Sequence, residues 1–170
     1  MKAETTFVLG GARSGKSIFA ENLVLKSGLK SVYLATGRAF DDEMVERIES
    51  HQMRRGEEWI TVEEPLALVD AIQQSAHSGR IILVDCLTLW VTNLMMAEAN
   101  VEKEVAGLVS MLRDVSVPVV LVSNEVGQGI VPDNKMAREF VDLSGKAHQA
   151  IAEVCNHVYL MTAGLPQKLK

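Results

Sequence analysis

The sequence is poor in several things, and each shortage excludes something. It has two cysteines in 170 residues, Cys86 and Cys155. They lack C-x-x-C spacing and sit in apolar surroundings, so they read as reduced core residues of a cytosolic protein rather than as a disulfide framework or thiolate metal site. Basic charge is also short. With 17 Lys and Arg against 22 Asp and Glu, the net charge is −5, which counts against broad nucleic-acid binding. No apolar run approaches the ~20 residues of a membrane span. Met1-Lys2-Ala3-Glu4 leads straight into a strand-like run, not into a secretory leader. The expected setting is the cytoplasm, with neither nucleic acid nor membrane as partner. Aromatics make up only 5%, and Trp59 and Trp90 read as packing residues. A chain of this length reads as a single domain, residues 1–170, large enough to bury a core without staples.

What is present is sharply organised near the start. Gly10-Gly11-Ala12-Arg13-Ser14-Gly15-Lys16-Ser17 fits G-x-x-x-x-G-K-[ST]. A β-type run, Thr5 to Leu9, precedes it, and a helical pattern from Ile18 to Lys26 follows. In such a loop the glycines permit a tight turn, so that backbone N–H groups and a helix N-terminus face phosphate oxygens. Lys16 would reach the β- and γ-phosphates, and the Ser17 hydroxyl would hold Mg2+.

Downstream, strand-length apolar runs alternate with helical patterns, the mark of βα units and a mainly parallel sheet. Strands are expected at Ser31–Ala35, Trp59–Val62, Arg80–Asp85, Pro118–Ser123 and His157–Met161, the last closing the sheet. Helices are expected over Asp41–Arg55, from Glu63 to about Ser78, and over Leu87–Ala99, Glu102–Val115 and Met136 to about Asn156. The fold expected is a single α/β domain of the P-loop NTPase, RecA-like, kind, doubly wound around a mainly parallel sheet.

Three further places carry chemistry. Asp85 follows four aliphatic residues, as a Walker-B carboxylate does, and could share the Mg2+ with Ser17. On the Asp41–Arg55 helix, His51 shares the last-turn surface with Arg54 and Arg55. By spacing alone this is a surface histidine at a basic helix end, or a nucleophile toward phosphorus held beside guanidinium groups. Finally, Ser123-Asn124-Glu125 follows a buried strand at the end where α/β sheets bind ligands. Asn124 and Glu125 either face that crevice or satisfy a local turn.

These stretches together resemble one family, the bifunctional adenosylcobinamide kinase/adenosylcobinamide-phosphate guanylyltransferases of cobalamin biosynthesis. The likeness rests on the P-loop, Tyr33 to Thr36, Asp41 to Met44 with Arg47, Ile48, His51, Arg55 and Trp59, Asp85 to Leu94, and Ser123 to Pro132. It departs from the family's usual pattern at Val141 and at His148, which reads as a helix-surface residue. The resemblance implies phosphorylation of adenosylcobinamide with ATP or GTP. GMP then passes from GTP to the new phosphate through a covalent GMP–histidine, with His51 as nucleophile and Lys16 and Asp85 as its catalytic companions. It also implies a nucleotide site of Gly10 to Ser17, Ala35, Thr36, Gly37, His51, Gln52, Met53, Arg54, Glu63 and Asp85, and a homo-oligomer, by family a trimer. Glu63 could equally be a cap before Pro65.

One tension follows. A P-loop presents the γ-phosphoryl group, whereas guanylylation needs attack at the α-phosphorus, so two nucleotide registers or a moving His51 helix are expected. The rival readings are a P-loop kinase for another small alcohol, with His51 idle, and a RecA-like ATPase.

Overall fold

Why the strands lie where they do is written in their apolar runs. A computed structural model describes residues 3–37, 56 and 58–170. Within them β1 (Thr5–Gly10), β2 (Lys30–Ala35), β3 (Trp59–Glu63), β4 (Arg80–Asp85), β5 (Val119–Asn124), β6 (His157–Thr162) and β7 (Leu165–Lys168) form one sheet. Its order is β3-β2-β4-β5-β1-β6-β7. All neighbouring pairs are parallel except β6 and β7. The helices are α1 (Lys16–Lys26), α2 (Leu68–Ser75), α3 (Leu87–Met96), α4 (Val101–Asp114) and α5 (Lys135–Val154). The helix expected over Asp41–Arg55 lies outside the described residues.

The central strands are apolar at successive positions because both faces are covered. Phe7, Val32, Leu34, Ile82, Val84 and Leu121 point to the core beneath α2 to α5. Their neighbours Val8, Tyr33, Leu83, Val120 and Val122 point to the other face, where Ala20 and Val24 of α1 pack. Trp90 is fully buried, and its indole N–H donates to the Leu66 carbonyl at 2.9 Å. Burial of a side chain of that size contributes roughly 3 kcal/mol, and the hydrogen bond removes the cost of an unpaired donor.

Two boundaries differ from expectation. β6 does not close the sheet, because β7 adds an antiparallel edge strand with Thr162 opposite Leu165. Pro166 and the exposed Leu165–Lys168 backbone suit an edge, where a missing N–H costs least and further pairing is blunted. The second difference concerns Glu63, which ends β3 rather than opening a helix; α2 starts only at Leu68. The residue before a proline is pushed out of helical geometry. Glu64 instead turns its Oε1 onto the N–H groups of Leu66 and Ala67, both at 2.9 Å.

Candidate functional site

The loop between β1 and α1 is shaped by its backbone. Arg13 and Gly15 have φ of 54° and 91°, so left-handed residues flank Ser14 and gather amides into an anion-binding concavity. Gly15 caps α1, whose first turn carries no acidic residue, leaving the positive helix end free for an anion. Crowding explains the glycines. A Cβ on Gly10 would run into the Ser14 hydroxyl and lie 3.0 Å from the Met161 carbonyl; one on Gly15 would lie 3.1 Å from Gly164 Cα. A Cβ on Gly11 would meet nothing, so the space above that residue is open to a phosphate. The β6–β7 turn buttresses the loop, with the Gly164 N–H donating to the Ser14 carbonyl at 3.0 Å.

Lys16 donates from Nζ to the Gly11 carbonyl at 3.0 Å. Burial lowers its pKa, while the nearby charge of Asp85 acts in the opposite direction. The ammonium is therefore only partly hydrated and within electrostatic reach of Asp85. A group of that kind gains from a phosphate that replaces lost water.

The Asp85 shoulder is built differently, by side chains that bond to distant backbone. Thr36 is fully buried; its Oγ1 donates to the Cys86 carbonyl at 2.7 Å and accepts from the Cys86 N–H at 2.9 Å. Asn93 of α3 donates from Nδ2 to the carbonyls of Thr36 at 2.7 Å and Pro65 at 3.0 Å. These bonds tie the ends of β2, β3 and β4 together and fix the direction in which Asp85 leaves the sheet. Cys86 itself is a protonated thiol, its pKa pushed up to about 11 by burial first and then by Asp85. It is a core residue, not a nucleophile.

Register brings the sequence-derived residues to one edge. Glu63 pairs with Ala35, Ala35 with Asp85, and Asp85 with Val122. Asn124 pairs with Gly10, and Gly10 with Met161. Glu63, Ala35, Asp85, Asn124 and Gly10 therefore stand along the carboxyl end of adjacent parallel strands, with β5 separating the P-loop strand from the Asp85 strand. Gly11, Ala12, Arg13 and Glu63 are exposed; Gly15, Lys16, Ser17, Ala35, Gly37 and Asp85 are partly exposed. Gly10, Ser14 and Thr36 are buried. His51, Gln52, Met53 and Arg54 lie outside the described residues. Glu125 satisfies a local turn with one oxygen, its Oε1 accepting the Gly127 N–H at 2.7 Å.

Three contributors escaped the sequence reading: Asn93, Thr88 and His148. His148 is not a surface residue. It is half-buried on α5, its ring 5.7 Å from that of Phe7 and its Nε2 2.8 Å from the Ser123 hydroxyl. The signal was available, since Ser144, Ala147 and Ile151 are buried and His148 falls between them at helical spacing.

Among solved structures, the fold is similar to the RadB recombinase, with a TM-score of 0.51 at 16% identity over 92% of this chain and 73% of that one. It is also similar to the flagellar accessory protein FlaH of Methanocaldococcus jannaschii, with a TM-score of 0.54 at 13% identity over 98% and 78%. The fold class is therefore RecA-like, as expected. Sequence relatives are far closer. The bifunctional adenosylcobalamin biosynthesis protein CobP of Pseudomonas aeruginosa is 48% identical over 96% of this chain and 95% of its own. The Escherichia coli K12 protein CobU is 38% identical over 96% and 98%. The profile of the CobU family matches residues 6–169, a span holding the P-loop, the Asp85 shoulder and the Ser123–Pro132 loop. The chain belongs to the cobinamide kinase/cobinamide phosphate guanyltransferase family.

Proposed function

We propose that one nucleotide site serves both activities of the family, with Lys16 common to them. In the first reaction the aminopropanol hydroxyl of adenosylcobinamide attacks the γ-phosphorus of ATP or GTP, losing its proton as the nucleoside diphosphate leaves. In the second, a His51 ring nitrogen attacks the α-phosphorus of GTP and pyrophosphate departs. An oxygen of adenosylcobinamide phosphate then displaces His51 from the GMP, giving adenosylcobinamide-GDP. The observation carrying this reading is the pairing of an open α1 N-terminus with Lys16 and Asp85, electrostatically coupled at one sheet edge. Lys16 and the loop amides bind and orient phosphates; Asp85 opposes the lysine charge. Glu63, Ala35 and Gly37 complete the wall on the β2–β3 side with buried Thr36 behind them, and family resemblance adds His51, Gln52, Met53 and Arg54 to the nucleotide site.

Ser17 and Asp85 fit Mg2+. That ion needs only one or two protein oxygens beside phosphate and water, and a hydroxyl and a carboxylate at the carboxyl edge supply them. When bound it would neutralise charge developing on the phosphates. The test is incubation with α-labelled GTP and Mg2+ followed by denaturation. Acid-labile, base-stable label that disappears in His51→Ala supports the guanylyl–histidine route. Label that persists in that variant overturns it. Lys16→Ala should lose both activities; retention of one would mean the site is not shared.

We also propose a homo-oligomer, a trimer by family resemblance. Ile130 and Val131 are 98% and 76% exposed beside each other on the loop after β5, an apolar tip that suits a partner surface. Sedimentation of Ile130→Glu should give a smaller species than the parent chain; an unchanged species would remove this surface from the interface.

A further inference from the structure

A buried chain of polar groups runs behind the carboxyl edge, where the nucleotide chemistry does not reach. Thr88, in the first turn of α3, accepts the Asn124 N–H on Oγ1 at 2.7 Å. The same hydroxyl lies 3.1 Å from Ser123 Oγ, and Ser123 Oγ lies 2.8 Å from His148 Nε2. Ser123 is fully buried and Thr88 nearly so. Three elements thus meet through hydroxyls: α5, the end of β5, and the helix that follows Asp85.

We propose that His148 is a positioning residue for this edge, holding the Asn124 backbone in place through the Ser123 and Thr88 hydroxyls and doing so in its neutral form. The tautomer protonated on Nδ1 sets the direction of the chain. With Nε2 as acceptor, Ser123 donates to His148, Thr88 donates to Ser123, and Thr88 still accepts the Asn124 N–H, so every hydrogen is used once. Protonated His148 must donate from Nε2. Ser123 then turns its hydrogen to Thr88, and the Thr88 hydrogen is displaced toward the Cys86 sulfur. Protonation therefore reverses the chain and disturbs the residues behind both Asp85 and Asn124.

The surroundings favour the neutral ring. Burial lowers the His148 pKa, and Glu125 opposes this with a smaller effect. The other elements packed on the ring present Phe7 from β1, Ser123 from β5 and, beyond it, Thr88 from α3, none of them ionisable near neutrality. Cys86 stays a thiol.

This inference deepens the proposed function and rests on Asn124 facing the crevice at the carboxyl edge in which both reactions are proposed to occur. Its test pairs a kinetic and a spectroscopic measurement. His148→Phe keeps the contact with Phe7 but removes the acceptor; it should lower kcat for corrinoid phosphorylation about tenfold, the scale of one buried hydrogen bond, with nucleotide KM held within about twofold. His148→Asn, which can accept from Ser123 and does not titrate, should recover most of that loss and lack the parent's fall in kcat below the histidine range. Independently of activity, the Asn124 amide resonance of the parent should follow the His148 titration, and Ser123→Ala should uncouple them. A flat Asn124 amide, or parental kcat and pH profile in His148→Phe, overturns the inference. An inactive parent whose Asn124 amide still follows His148 would sink the functional reading and leave the relay standing.

Discussion

The two sides of the candidate site achieve rigidity by opposite means. The P-loop side is made of backbone: left-handed Arg13 and Gly15, a crowded Gly10, and one main-chain bond from Gly164. The Asp85 side is made of side chains, with Thr36, Asn93 and Thr88 each bonded to backbone of another element. The first arrangement tolerates almost no change in residue size but asks little of residues far away. The second accepts varied side chains locally yet fails when one distant polar group is lost. A phosphate cradle built from amides presents many similar donors, whereas a carboxylate that must point in one direction needs triangulation from several elements.

The sharpest way to break this contrast is at Gly15. Gly15→Ala places a Cβ at a φ of 91° and 3.1 Å from Gly164 Cα. Strain of roughly 2–3 kcal/mol should weaken nucleotide affinity about a hundredfold by calorimetry. Parental affinity would mean that side-chain contacts, not the cradle, dominate binding. Next comes Asn93→Leu, which leaves the Thr36 and Pro65 carbonyls without their donor. Urea unfolding should show a loss of about 2–3 kcal/mol, with nucleotide affinity in the surviving folded protein little changed. Thr36→Val removes both bonds to Cys86. It should cost about 1–2 kcal/mol and lower kcat more than it raises KM; equal effects on both would place Thr36 at the nucleotide itself.

A smaller effect is expected from acid. Because the His148 pKa is lowered in the fold, the unfolded chain takes up a proton near pH 6.5 while the folded one does not. Stability should therefore fall as pH drops through that value toward the folded pKa. Thermal unfolding at pH 7.5, 6.5 and 5.5 should show a shallower decline in His148→Phe than in the parent. The smallest effect belongs to Lys146 and Glu102, bonded at 2.7 Å but both more than half exposed. Glu102→Gln should leave the melting temperature unchanged within error, as exposed pairs do.

This contrast also decides what could be read from the sequence. The P-loop was legible because its shape comes from residues adjacent in the chain. Asp85 was legible because a carboxylate at the end of a buried strand is conspicuous in one dimension. The bonds that aim Asp85 were not: Thr36 meets Cys86 and Asn93 meets Thr36 only after β2 and β4 pair. β7 was missed because Pro166 argues against a strand, and only an edge position accommodates it. His148 was read as a helix-surface residue, although its helical spacing places it with buried neighbours. The strands and their mainly parallel pairing followed from the alternation of runs, whereas their order came only with the structure, and the choice between Glu63 and Glu64 needed Pro65 and its turn in three dimensions.

The position of β1 has a consequence for how the chain is made. Thr5 pairs with Val119, and Thr6 with His157, so the strand leading into the P-loop has both its neighbours in the later part of the sequence. On the ribosome, β2 and β4 can meet long before either partner of β1 has emerged. Strand β1 is then among the last of the sheet to be seated, inserted between β5 and β6 once they exist. Until that happens Gly10 has no Met161 beside it and Ser14 no Gly164. The nascent chain carries the triphosphate-binding motif long before β5 and β6 emerge, yet it can grip a nucleotide only once both are in place.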